Sequence, residues 1–157
     1  MTRPFRPRPT NAEISEALYQ LAELLEVKGD DMFRIRAFPR AAREVADMQT
    51  SLAKRVARGE DLVPLPTIGK DIAAKIEALV KTGCIEELDR AEAGFDPVEL
   101  RLLKVPGMGP VRLDTIKSHF GKPLSARGLA TAAKRGDVAR LRGIGTTIER
   151  AIFEAFN

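Results

Sequence analysis

At 157 residues, 44% of them hydrophobic and 31% charged, the chain has the composition of a globular protein and can bury one sizeable core or two small ones. The formal net charge of +4 is concentrated at the front: Arg3, Arg6 and Arg8 lie in the acid-free, Pro-rich segment Met1–Pro9, leaving 23 basic against 22 acidic residues elsewhere. Cys84 is the single cysteine and His119 the single histidine, which excludes an intrachain disulfide and any cysteine cluster or histidine-based metal site. The apolar runs are too short for a membrane span and no charged-then-apolar signal segment opens the chain, so the expectation is a cytoplasmic protein without a membrane partner.

No segment of four or more residues combines β-branched enrichment with strict alternation, whereas helical spacing recurs throughout, and the predicted fold class is all-α. Met1–Pro9 reads as a disordered basic arm. Thr10 with Glu13 forms a capping box ahead of a helix whose stripe is Ile14, Leu18, Leu21 and Leu25, ending near Gly29. Phe33, Ala37, Ala41, Val45 and Met48 form the apolar stripe of a second helix, which Pro39 kinks or begins. A short helix over Ser51–Arg58 stops at Gly59. Lys70–Thr82 follows, with Ile72, Ile76, Leu79 and Val80 inward and Gly83 at its end, where Cys84 reads as a small filler. Asp96-Pro97 with Glu99 caps a helix over Val98–Lys104, and Pro110 opens another that runs to Gly121, with His119 near its C-terminus. Leu129–Arg135 and Val138–Arg142 pair with Thr146–Phe156. The predicted domains are thus residues 10–83, a four-helix unit, and residues 84–157, a second helical unit, with 84–96 as the connection.

One pattern is written three times: an apolar residue, a tight loop around Gly, then a helix. The copies are Leu65-Pro66-Thr67-Ile68-Gly69, Val105-Pro106-Gly107-Met108-Gly109 and Leu141-Arg142-Gly143-Ile144-Gly145, and the final glycines recur at intervals of 40 and 36 residues. Such a loop turns the backbone sharply and points helix N-terminal N–H groups outward, where an anion can bind. Amides ignore side-chain identity, so several of them would grip a phosphate backbone without reading its sequence. The charges are segregated too. Met32–Arg43 holds Arg34, Arg36, Arg40 and Arg43 without an acid, and Arg127–Arg142 is basic but for Asp137. Acids gather at Glu13–Asp31 and Glu86–Glu99, which suggests one basic and one acidic face.

Met32-Phe33-Arg34-Ile35-Arg36-Ala37-Phe38-Pro39-Arg40-Ala41-Ala42, followed by the run from Leu65 through Gly69 to Ile76, resembles the N-terminal lyase-like domain of X-family DNA polymerases. Leu102–Phe120 and Val138–Phe156 resemble the helix-hairpin-helix motifs of the fingers region that follows in that family. The likeness covers residues 10–156. It implies two compact helical units built from helix-hairpin-helix motifs, without the palm domain: no Asp-x-Asp pair occurs, and Glu87 and Asp89 on a helix would not face each other. The expectation is either a stand-alone DNA-binding protein or the front end of a longer enzyme. By resemblance, Lys75 aligns with the lysine that forms a Schiff base with a 5′-deoxyribose phosphate. A free lysine has a pKa of ~10.4, so its environment must favour the neutral amine, and partial burial at the edge of the Ile72, Ile76 and Leu79 stripe together with nearby Arg34 and Lys70 could do so. Asp71, Ala74 and Phe38 depart from the family pattern at a phosphate-binding lysine, an acidic helper and a pocket tyrosine, and Asp71, one turn before Lys75, can hold it protonated.

Three functions follow as alternatives. The first is a non-sequence-specific DNA-binding protein for gapped, nicked or damaged DNA in a repair context. Its contacts are Arg34, Arg36, Arg40, Gly69, Lys70, Gly107, Met108, Gly109, Val111, Arg112, Gly143, Gly145 and Thr146. The second is a weak DNA lyase using Lys75, with Lys75 and Arg34 lining a pocket for a 5′-phosphate. The third is a scaffold that binds a protein through the acidic helix carrying Glu13, Glu16, Glu23 and Glu26. A cofactor is not expected, apart from Na+ or K+, which the resemblance implies at the carbonyls of Lys104, Pro106 and Met108. Partners expected are DNA and other repair proteins, with the chain as a monomer.

Overall fold

A computed structural model describes residues 7–121 and 123–157; the sequence expectation of a disordered arm over Met1–Pro9 falls largely on residues outside that range. The described residues form nine helices and no strand, so the fold is all-α: α1 (Asn11–Val27), α2 (Met32–Asp47), α3 (Leu52–Ala57), α4 (Lys70–Thr82), α5 (Glu86–Glu92), α6 (Pro97–Leu103), α7 (Pro110–Phe120), α8 (Ala126–Arg135) and α9 (Thr146–Phe156). They divide into two compact units, the first ending at Ala91 and the second beginning at Glu92. Residues 84–91, read from sequence as a connection, therefore pack with the first unit.

In the first unit α1 lies along α2. The predicted stripe Ile14, Leu18, Leu21 and Leu25 is buried as a set. The facing stripe of α2 is the predicted one only in part, at Ala41 and Val45. Ile35, Phe38, Ala41, Ala42 and Val45 point inward, while Phe33 is 86% exposed. The reason is that α1 presses closely on α2 at two alanines, where the Ser15 hydroxyl donates to the Ala42 carbonyl at 2.7 Å. Small side chains at that crossing let the backbones approach, and Phe33, two residues off this register, is left on the outer surface. Pro39 sits inside a continuous helix rather than starting it. The Thr10 capping box forms only in part: Thr10 Oγ1 accepts from the Glu13 amide at 3.1 Å, and its own proton goes to the Glu13 carboxylate. The start of α1 is pinned to α3 by Asn11, which donates to the Thr50 carbonyl at 2.7 Å and accepts from the Leu52 amide at 3.0 Å. Ile68, Ile72 and Ile76 close the core from α4 and its preceding loop, and Ile85, Leu88 and Ala91 add α5 to it.

The second unit packs α8 against α9, with α6 touching both α7 and α9. Leu102, Leu113, Ile116, Leu129, Val138 and Ile152 form its core. The capping box expected at Asp96 is complete: the Glu99 amide donates to Asp96 at 2.8 Å and the Asp96 amide to Glu99 at 3.3 Å. Glu99 is itself buried and receives Lys117 at 3.1 Å, so one carboxylate starts α6 and ties it to α7.

Candidate nucleic-acid interface

The three repeats fold alike down to individual backbone bonds. In each, two successive three-residue turns lead into a helix: Leu65 N–H donates to Leu62 and Ile68 N–H to Leu65, Val105 to Leu102 and Met108 to Val105, Leu141 to Val138 and Ile144 to Leu141, all at 2.9–3.1 Å. In each, the residue before the last glycine is a plug: Ile68, Met108 and Ile144 are all buried. The side chain of Met108, proposed from sequence as a DNA contact through the loop backbone, lies in the core. The glycine that follows is the N-cap in extended backbone, and its carbonyl accepts the first helical bond, from Ala73, Leu113 and Glu149 respectively.

A contrast with five other helices sets these three apart. Thr10, Asp31, Ser51, Asp96 and Ser125 cap α1, α2, α3, α6 and α8 with side-chain oxygens that take up first-turn amides. α4, α7 and α9, each behind a hairpin, begin at Gly69, Gly109 and Gly145 with no side-chain cap. Their first-turn N–H groups, including those of Lys70, Val111 and Thr146, have no acceptor on the capping residue. A helix start of this kind carries partial positive charge and directed donors. Gly107 and Gly143 turn the second and third loops at φ +84° and +80°, a region glycine enters freely. The first copy has Thr67 there instead, in ordinary backbone, and its hydroxyl donates to Glu44 at 2.7 Å.

In the second unit two of these loops are fastened by one side chain. Arg112 Nε donates to the Gly143 carbonyl at 2.8 Å and its Nη1 to the Gly107 carbonyl at 2.7 Å. Arg112 was expected as a DNA contact, and here two of its guanidinium nitrogens hold two hairpins together. Val111, beside it, is 79% exposed at the helix start. Gly107, Gly143, Gly145 and Thr146 are exposed, Gly109 half-exposed, and Arg127, Lys134, Arg135, Arg140 and Arg142 lie on the same unit's surface.

In the first unit Arg36, Arg40, Gly69 and Lys70 are exposed. Arg34 and Lys75 do come together, as the sequence suggested, but around a carboxylate that it did not. Glu87 Oε2 accepts from Arg34 at 2.6 Å and from Lys75 at 3.0 Å. Arg34 also holds Asp30 at 3.0 Å, and Lys75 holds Asp71 at 2.5 Å. The Arg34 guanidinium packs 5.8 Å from the centre of the buried Phe38 ring. The Arg34 hydrogen bond holds the Glu87 carboxyl down at about 2, with Lys75 adding to the effect and partial burial opposing it. The same partner pushes Arg34 above its ordinary value. Lys70, expected beside Lys75, makes no ion pair within this cluster. Glu87 and Asp30 are the residues that sequence reasoning missed. The only signal was the acidic start of α5 just past Gly83, where the chain turns back along α4.

Residues 9–85 match the family model described as helix-hairpin-helix domain. Across 143 residues, 91% of this chain, the sequence is 27% identical to the protein named DNA polymerase/3'-5' exonuclease PolX of Bacillus subtilis (strain 168), of which those residues are 24%. The chain thus spans about a quarter of the length of the curated relative it matches. Both matches agree with the resemblance to X-family DNA polymerases read from the residues.

Proposed function

We propose that the chain is a non-sequence-specific DNA-binding helix-hairpin-helix protein that engages gapped, nicked or damaged DNA in a repair context. The observation that carries the reading is the set of three hairpins whose helices begin at glycine without a side-chain cap, while five other helices are capped. Uncapped first-turn amides suit phosphate oxygens and carry no base information. The similarity to a protein named as a DNA polymerase supports DNA as the polymer. Arg36 and Arg40 on α2, Lys70 at the first hairpin and the basic surface of α8 supply charge. We also propose a Na+ or K+ ion at the carbonyls of Lys104, Pro106 and Met108, neutral hard oxygen donors of the kind such ions take.

The same geometry favours binding over lyase chemistry at Lys75. An ammonium that grips two carboxylates has no lone pair to offer a sugar carbon. The test is a salt series of binding to single-stranded, duplex and one-nucleotide-gapped DNA. Affinity should fall steeply with salt, and Arg36→Ala and Arg40→Ala should each lower the logarithmic slope by about one unit. Arg112→Ala should weaken duplex binding while leaving the slope unchanged, because its guanidinium holds carbonyls rather than phosphate. Equal affinity at low and high salt would overturn the reading.

A further inference from the structure

We propose that Glu87 is a specificity-determining residue of the first unit: its carboxylate stands as an internal anion between Arg34 and Lys75, so that the site shows no preference for a terminal 5′-phosphate on DNA. The inference rests on the DNA-binding reading and concerns which DNA ends the unit accepts. A single oxygen, Glu87 Oε2, receives both cations at 2.6 and 3.0 Å, the convergence a phosphate oxygen would need from the same pair. Further contacts draw on the same pair, Asp30 on Arg34 Nη1 and Asp71 on Lys75 Nζ.

Glu87 is held there by its own helix. Ile85 and Leu88, on either side of it, are buried in the core, so α5 cannot rotate the carboxylate away without withdrawing them. Beside Lys75 lies a cleft of about 500 Å³, lined among others by Lys28, Asp30, Glu86, Glu87 and Arg90. With Arg34 and Asp71 included, four cations face four carboxylates. A terminal phosphate, bringing a charge of roughly −1.5 to −2, would have to expel Glu87 and then sit beside it. Room is available; positive charge is not.

The experiment compares the full chain with Glu87→Gln on two one-nucleotide-gapped duplexes that differ only in a 5′-phosphate or 5′-hydroxyl at the gap. Wild type should bind the two within about twofold. Glu87→Gln keeps the shape and an acceptor oxygen but removes the charge, and should favour the phosphate by about fivefold or more, a preference lost again in Glu87→Gln/Lys75→Ala. A fivefold phosphate preference in wild type overturns the inference whatever the variants do, and so does a folded Glu87→Gln with no gain. The DNA-binding reading is judged separately, by the binding common to both duplexes at low salt: if that binding is present and only the preference fails, Glu87 alone has been misassigned.

Discussion

Glu87 is where the electrostatics of the first unit meet. Its carboxyl is held at about 2 against a usual 4.5, first by the hydrogen bond from Arg34. A group whose value is depressed on folding contributes stability above its unfolded value and loses that contribution as pH falls through the folded one. The advantage of wild type over Glu87→Gln should therefore be full above pH 4.5 and fade as pH approaches about 2. Glu87 and Arg34 are each about a third exposed, and the cations keep Asp30 and Asp71, so the advantage at neutral pH should be no more than about 1 kcal/mol. Denaturant unfolding of both proteins at neutral and strongly acidic pH checks this, and a difference that does not shrink in acid would contradict it. Residues such as Arg34 and Lys75 could be nominated from sequence because each lies in a local pattern. Their anion could not, since Glu87 is 53 positions from Arg34 and only the turn after Gly83 brings it back.

At the scale of elements, helix ends were more legible than helix faces. Lys70–Thr82 and its stop at Gly83 are encoded by a glycine at each end, and the structure has those bounds. The face of α2 was legible only at Ala41 and Val45: hydrophobicity favoured Phe33, whereas packing against α1 selected Ala42 beside Ala41, where small size matters more than weak apolar character. The hairpin glycines divide in the same way. Gly107 has φ +84°, and an added Cβ would touch the Ile148 side chain at 3.4 Å. Gly107→Ala should therefore destabilise the second unit by about 1–2 kcal/mol. Gly109 lies in extended backbone with nothing within 4 Å of an added Cβ. Gly109→Val should therefore fold normally and weaken DNA binding by about 1–3 kcal/mol through obstruction of the loop. Thermal melts and duplex titrations of the two variants separate fold from function, and equal melting losses would defeat the distinction.

At the scale of the molecule, the division after Ala91 has a direct test. The boundary read from sequence, after Gly83, would cut away Ile85, Leu88 and Ala91, which are buried in the first unit. Burying one Ile or Leu side chain contributes about 1.5–3 kcal/mol, so a fragment of residues 1–83 should be less stable than one of residues 1–91 by on the order of 3–6 kcal/mol. Urea unfolding of the two fragments measures it. Equal midpoints would mean that α5 is a passenger on the first unit. The sequence hid this because α5 is short and acidic, with few apolar residues to announce a buried side.

The uncapped starts of α4, α7 and α9 also couple folding to ligand concentration. A first-turn amide without a side-chain cap in the free protein can take a phosphate oxygen when one arrives, so on the proposed function the polyanion completes a cap that the chain omits. Thermodynamic linkage then makes DNA a stabiliser of the folded state, by RT ln(1 + [L]/Kd), about 2.7 kcal/mol at a hundredfold excess over Kd. Hairpin glycines cost the free protein a little helix stability, and the helices concerned would be firmest when the protein is on DNA.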